Sequence, residues 1–113
     1  MSRDLRHDAS ILIVDDRALS REYLAAILAA NGRVPPSVAW DLPSLITALE
    51  DAMPSVILLD MATRDSAVLL RATFQVSPNA RVIVLGVSGD DEAQIVACAE
   101  AGVAGYHPAN RVA

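Results

Sequence analysis

The sequence of 113 residues contains no lysine. All nine of its basic side chains are arginines, and with fourteen acidic residues they leave a net charge of −5. Any mechanism that depends on a lysine is therefore excluded. The arginines form no cluster. Because a protein that binds a polyanion carries a basic patch, these residues are not expected to bind nucleic acid.

Cysteine and long apolar runs are also scarce. Cys98 is the single cysteine, which excludes an internal disulfide and a cysteine-based zinc site and fits a reducing compartment. No segment is apolar enough for a signal peptide or long enough to span a membrane, so we expect a soluble, cytoplasmic protein. Apolar residues make up 53%, enough for one core. We expect one domain over residues 11–113, preceded by a flexible segment over 1–10.

Short β-branched runs alternate with longer amphipathic segments along the chain. The strongest runs are continuously apolar, which is typical of strands buried on both faces of a parallel sheet. Pro35 and Pro36 weaken the second run and favour an edge position or a late start. The predicted strands are 11–14, 34–40, 56–59, 82–87 and 103–106, and the predicted helices are 18–30, about 42–52, about 65–76 and a segment from about 90 to 101.

Five strands separated by four helices predict the α/β class, with a doubly wound parallel sheet, helices on both faces and right-handed crossovers. In this class the working site lies outside the carboxyl ends of the strands.

Three acids stand at such strand ends. Asp15 and Asp16 follow the first strand, and Asp60 follows the third. Carboxylates gathered at one edge repel each other unless a cation neutralises them, and Mg²⁺ prefers oxygen ligands and pairs carboxylates with phosphate. The pattern favours a divalent-metal site that assists phosphoryl chemistry on one carboxylate. The alternative is that the acids only cap the helices that follow them.

The motifs ILIVDD, VILLDM, VIVLGVSGDDE and AGVAGYHP, in this order, resemble the CheY-like receiver domain of two-component response regulators. The resemblance runs from about residue 11 to residue 110. It implies a five-stranded flavodoxin-like fold with strand order 2-1-3-4-5. It also implies that Asp60 accepts a phosphoryl group from a histidine kinase or phosphotransfer protein. No enzymatic activity is expected beyond self-phosphorylation from a phosphodonor and slow autodephosphorylation.

The same resemblance implies a cofactor and a switch. Mg²⁺, weakly bound, would be held by Asp15, Asp16, Asp60 and the backbone carbonyl of Ala62. Tyr106 falls on the aromatic switch position of the last strand, although an ordinary, partly buried aromatic fits equally well.

Two positions depart from the family pattern. The fourth strand normally ends in a threonine or serine that binds a phosphoryl oxygen, and here that position is Gly86. The lysine that normally pairs with the phosphorylated aspartate is replaced by Ala109. Arg17 and Arg64 are candidate substitute cations, but the simpler interpretation, that each offsets nearby acids in solvent, is favoured. Phosphorylation-dependent switching is therefore in doubt.

Receiver domains usually end with a fifth helix, whereas only about seven residues follow Tyr106. We therefore expect a receiver domain truncated before its last helix, cut from a longer protein. The AGVAGY ending resembles receivers joined to a helix-turn-helix output domain, so a DNA-binding domain beyond residue 113 is a further expectation. Family members also often form homodimers through the fourth helix and fifth strand.

Three functions stay open at this point. The leading one is a signalling receiver with Asp60 as phosphoacceptor. Its rival is a phosphorylation-independent pseudo-receiver that acts as a protein-interaction or dimerisation module. A small phosphatase or cofactor-binding α/β domain is the remote alternative, because the acids are adjacent rather than spaced as Asp-x-Asp and the first loop offers no phosphate cradle.

Overall fold

The structure is a computed structural model that describes residues 10–32, 35–87, 103 and 105–108. They form a five-stranded parallel sheet with the order β2-β1-β3-β4-β5, which confirms the predicted fold class and strand order. The strands are β1 (Ile11–Val14), β2 (Ser37–Ala39), β3 (Val56–Asp60), β4 (Arg81–Val87) and β5 (Gly105–Pro108), and the described helices are α1 (Ala18–Ala30), α2 (Leu42–Ala52) and α3 (Ser66–Val76).

The element boundaries follow the predicted pattern closely. β2 begins only after the two prolines and lies at the edge of the sheet, as their missing N–H donors require. β5 begins at Gly105, two residues later than predicted, because its pairing with β4 starts there. The predicted fourth helix and the region of the fifth lie outside the described residues. No described helix combines the length and apolar character needed to cross a bilayer.

The main core lies between the sheet and the helices α2 and α3. Right-handed crossovers place α1 on the opposite face, since β1 leads outward to β2 and β2 leads back across to β3. α1 contributes no fully buried side chain, and its Leu19 and Tyr23 are exposed. The core residues from the strands are Leu12, Val14, Ala39, Ile57, Leu59, Val82 and Val84, and those from the helices include Leu45, Leu49, Leu69 and Leu70.

Local signals fix the start of α2 and the end of α1. Asp41 caps α2: its Oδ1 accepts a hydrogen bond from the Ser44 N–H at 2.9 Å, and its own N–H donates to Ser44 Oγ at 3.1 Å. Hydrogen bonds to the Asp41 carboxylate, first from the Ser44 side chain and then from the Ser44 backbone, lower the pKa of Asp41. α1 ends at Asn31 and Gly32, where Gly32 has φ +76°. The predicted cap and stop are both confirmed.

Candidate functional site

The parallel register brings the ends of three strands to one edge of the sheet. Val14 lies beside Leu59, so Asp15 and Asp60 follow on neighbouring strands. Asp60 in turn lies beside Leu85, the residue before Gly86. Two of the predicted acids and the predicted switch position therefore meet at the carboxyl edge.

The guanidinium of Arg17 lies between the two acids. Its Nε and Nη2 donate to Oδ1 and Oδ2 of Asp15 at 3.1 and 3.2 Å, in the paired geometry that a planar guanidinium offers to a carboxylate. Nη2 also donates to Oδ2 of Asp60 at 2.6 Å. Because Nη2 carries two N–H groups, it can serve both carboxylates at once. Arg17 therefore bridges β1 and β3 through their acids.

Every carboxylate oxygen of these two acids has a protein donor. Oδ1 of Asp15 also accepts from the backbone N–H of Arg17 at 2.9 Å. Oδ1 of Asp60 accepts from the backbone N–H of Ala62 at 2.8 Å. With the three contacts of the guanidinium, the four oxygens are all satisfied, as buried polar groups require. Each oxygen of the pair therefore has at least one hydrogen-bond partner within the protein.

The electrostatics of the site depend on the same arginine. The Asp15 side chain is fully buried and that of Asp60 is 10% exposed, whereas the Arg17 side chain is 54% exposed. Burial by itself raises the pKa of Asp15, but hydrogen bonds from the side chains of Arg17 and Ser20 and from the Arg17 backbone lower it below its ordinary value. The hydrogen bond to Asp15, followed by the charge of Asp60, raises the pKa of Arg17. Arg17, together with the hydrogen bond from Ser20, thus favours the ionised form of a buried carboxylate.

Asp16 does not share this arrangement. Its side chain is exposed, and its Oδ2 accepts a hydrogen bond from the backbone N–H of Arg64 at 3.1 Å. This contact links the loop after β1 to the loop after β3. Of the two candidate substitute cations, Arg17 reaches the buried acids with its guanidinium, whereas the contact that joins Arg64 to the acids runs through its backbone.

A divalent cation does not fit this arrangement as it stands. Within the described ranges, no three His, Cys, Asp or Glu side chains are grouped so that they could hold a metal ion. The acids have the right donor chemistry for Mg²⁺, but the place between Asp15 and Asp60 is filled by the Arg17 guanidinium. The Mg²⁺ site implied by the resemblance stays a prediction.

Gly86 shapes the other side of Asp60. It has φ +71° and lies at an irregularity in the pairing of β4 with β5, between Leu85 and Val87. A Cβ at this position would lie 2.7 Å from Oδ1 of Asp60, closer than side-chain carbons are found. The carboxylate of Asp60 thus fills the space that a threonine or serine side chain would enter. Glycine is required here both for its conformation and for its lack of a Cβ.

The structure adds contacts that the sequence had not singled out. Nη1 of Arg21 donates to the backbone carbonyl of Asp15 at 2.9 Å, and its guanidinium lies 5.4 Å from the ring centroid of Trp40. The spacing of Arg17 and Arg21, four residues apart at the start of α1, is the signal that could have found this pair.

Thr63 is buried, and its hydroxyl has no hydrogen-bond partner among the described residues.

Of the other predicted switch positions, the structure describes only the backbone of one. Tyr106 lies in β5 beside Val84, but its side chain is outside the described part of the chain. Ala109 and Cys98 lie outside it altogether. The roles assigned to Asp60, Ala62 and Tyr106 from the resemblance remain predictions.

Similarity to known proteins is found through structure. No protein-family model and no curated protein matches the sequence. The receiver domain of NtrX from Brucella abortus is 26% identical, with a TM-score of 0.74, over 90% of this chain and 88% of that one. A longer NtrX structure from the same organism, in complex with ATP, is 26% identical, with a TM-score of 0.75, over 91% of this chain. The chain therefore has the receiver-domain fold, and these structural neighbours are response regulators.

The chain matches only part of the longer structures. It spans 23% of the length of the NtrX chain in the ATP complex. A response regulator from Burkholderia pseudomallei, with a phosphorylated aspartic acid, a calcium ion and citrate, shares the fold at 20% identity and a TM-score of 0.79, over 93% of this chain and 62% of that one. The receiver domains among these neighbours are signalling modules.

Proposed function

We propose that this receiver domain is a signal-transduction module of a response regulator whose output does not depend on phosphorylation of Asp60. The observation that carries the proposal is the environment of Asp60. Its carboxylate is held by Arg17 and Ala62 and fills the space beside Gly86. A phosphoryl group placed on Asp60 would meet neither a switch hydroxyl at position 86 nor a lysine anywhere in the sequence.

The free energies involved support this choice. A hydrogen bond to a charged group contributes roughly 1.5–3 kcal/mol, and a neutral one about 1 kcal/mol. The coupling between two sites in a switching protein is typically only about 1–3 kcal/mol. Loss of the hydroxyl and the lysine therefore removes interactions as large as the whole switching energy. The domain is then expected to keep one conformation whether or not Asp60 is modified.

The conventional receiver function is the second candidate. Asp60 ends β3, and its side chain is 10% exposed, so a slow reaction with a histidine kinase, a phosphotransfer protein or a small phosphodonor remains chemically open. In either case we expect the partners to be proteins: a homodimer through the fourth helix and β5, and an output domain beyond residue 113 that binds DNA.

Treatment with a small acyl phosphate and Mg²⁺ tests the two candidates. We expect the intact mass to show little or no phosphoryl adduct. We also expect any adduct to leave the amide NMR spectrum of β4 and β5 and the oligomeric state unchanged. The reason is that the added phosphoryl oxygens meet neither a hydroxyl at position 86 nor a lysine, the two groups that would link Asp60 to β4 and β5.

Asp60→Asn is the matched control, because it removes the acceptor and keeps the shape of the side chain. An adduct that is absent from Asp60→Asn and that shifts the β4 and β5 amides or the oligomeric state would establish phosphorylation-dependent switching and overturn the proposal.

A further inference from the structure

We propose that Arg17 is a built-in cation that takes the place of a divalent metal ion in this receiver domain. Its guanidinium binds both oxygens of Asp15 and one oxygen of Asp60, so it connects the two strand ends that a bound metal would connect. The inference rests on the proposed function only for the assignment of the site. It concerns metal binding in the absence of any phosphodonor, so the two proposals can fail separately.

The hydrogen bonds of the acids make the arginine and the metal mutually exclusive. The fourth oxygen accepts from the Ala62 N–H, and a metal that bridged Asp15 and Asp60 through their Oδ2 atoms would occupy the place where the guanidinium now lies. An incoming ion must break three hydrogen bonds from Arg17, and it is then repelled by the displaced guanidinium, which stays nearby. Mg²⁺ in addition gives up its waters reluctantly. The arginine is covalently attached and already in place, which favours it over an ion from solution.

The arginine also explains how the buried acid is tolerated. An ionised carboxylate without a partner is costly to bury, and Asp15 has no exposed side-chain surface. Here the partner is provided by the second residue after the acid, and its own backbone N–H joins the contact at 2.9 Å. The charge of Asp15 is therefore offset within the loop after β1, with no requirement for metal.

The single tryptophan offers a direct readout. Trp40 lies against the guanidinium of Arg21, and Arg21 donates to the backbone carbonyl of Asp15. A metal that displaced Arg17 and shifted Asp15 would be reported through this pair of contacts. Tryptophan fluorescence and thermal unfolding can therefore follow the same event.

The experiment is a Mg²⁺ titration, after treatment with EDTA, of the wild type, Arg17→Gln and Arg71→Gln. Arg71→Gln is the control, because it removes an equal charge from an exposed position on α3. We expect Arg17→Gln to bind Mg²⁺ at least about tenfold more tightly than the wild type, since the ion no longer breaks hydrogen bonds to charged groups. At about ten times its Kd, Mg²⁺ should raise the Tm of Arg17→Gln by roughly 4–8 °C.

The wild type and Arg71→Gln should show weak and equal responses at the same Mg²⁺ concentrations. The added binding should be lost when Asp15→Asn is combined with Arg17→Gln, which places the ion at the acids. Equal Mg²⁺ affinity in the wild type and Arg17→Gln would overturn the proposal, because the arginine would then not compete with metal.

A second measurement covers the case in which Arg17→Gln does not fold. Mn²⁺ binding to the wild type is followed by electron paramagnetic resonance, with Asp15→Asn as the comparison. Mn²⁺ that stays free at millimolar concentration supports the built-in cation. Tight binding to the wild type that disappears in Asp15→Asn overturns it.

Discussion

Replacing Gly86 with alanine is expected to reduce the free energy of unfolding by roughly 2–5 kcal/mol. Part of this loss comes from placing a side chain at φ +71°, and the rest from a Cβ only 2.7 Å from Oδ1 of Asp60. That oxygen cannot move away cheaply, because Asp60 is held by Ala62 and Arg17. Urea unfolding followed by circular dichroism measures the change.

Gly32→Ala is the matched control for Gly86→Ala. Gly32 has a similar φ of +76°, but nothing lies within 4 Å of the position that its Cβ would occupy. Gly32→Ala should therefore lower the free energy of unfolding only by the cost of a side chain at positive φ, about 1–2 kcal/mol. In a background that carries Asp60→Ala, Gly86→Ala should lose the steric part of its cost. If Gly86→Ala costs no more than Gly32→Ala, the Asp60 carboxylate does not fill the space at position 86.

This prediction has a functional consequence. Restoring a threonine at position 86 should not restore a phosphorylation switch, because the residue would be strained and its side chain would collide with Asp60. The backbone at position 86 has a positive φ that suits glycine. One substitution therefore does not return the site to the family pattern.

Arg17→Gln is expected to lower the free energy of unfolding at neutral pH by about 1–2 kcal/mol in EDTA. Hydrogen bonds to charged groups contribute somewhat more than this, but the half-exposed Arg17 side chain is screened by water. The loss should shrink as the pH falls towards about 3. Urea unfolding at several pH values measures the difference between the two proteins.

The sign of this pH dependence follows from Asp15. In the wild type its lowered pKa contributes stability that is present above the unfolded pKa, near 3.9, and lost as the pH falls through the folded value. In Arg17→Gln burial still raises the pKa of Asp15, while only the hydrogen bonds from Ser20 and from the backbone of residue 17 still lower it, so the variant loses less stability when Asp15 is protonated. The difference in free energy of unfolding between the wild type and Arg17→Gln therefore becomes smaller as the pH falls. A gap that widens, or one matched by Arg71→Gln at every pH, would contradict the assigned role of Arg17.

Much of the fold was predictable because its signals are local. The apolar runs before Asp15 and Asp60 could be recognised as buried strands without knowledge of their neighbours, and Asp41 marks the start of α2. The doubled proline places the start of β2. The start of β5 was predicted too early, because it depends on pairing with β4 and on the irregularity at Gly86, and pairing is not encoded in the segment itself.

The candidate site was predictable in its members but not in its arrangement. The sequence places Arg17 beside the acid pair, and solvent exposure was the simpler expectation for its charge. The side chain is indeed half exposed, yet its guanidinium bridges two strands. That outcome depends on the distance between Asp15 and Asp60, which only the parallel register determines. Likewise, the sequence identifies a missing hydroxyl at Gly86 but not the carboxylate that fills its place.

The most direct test of the central claim is a crystal structure of the wild-type domain grown with Mg²⁺ and beryllofluoride. The account predicts that Arg17 still bridges Asp15 and Asp60 and that Asp60 carries no adduct. A structure with Mg²⁺ between the acids, a beryllofluoride group on Asp60 and Arg17 displaced into solvent would contradict it.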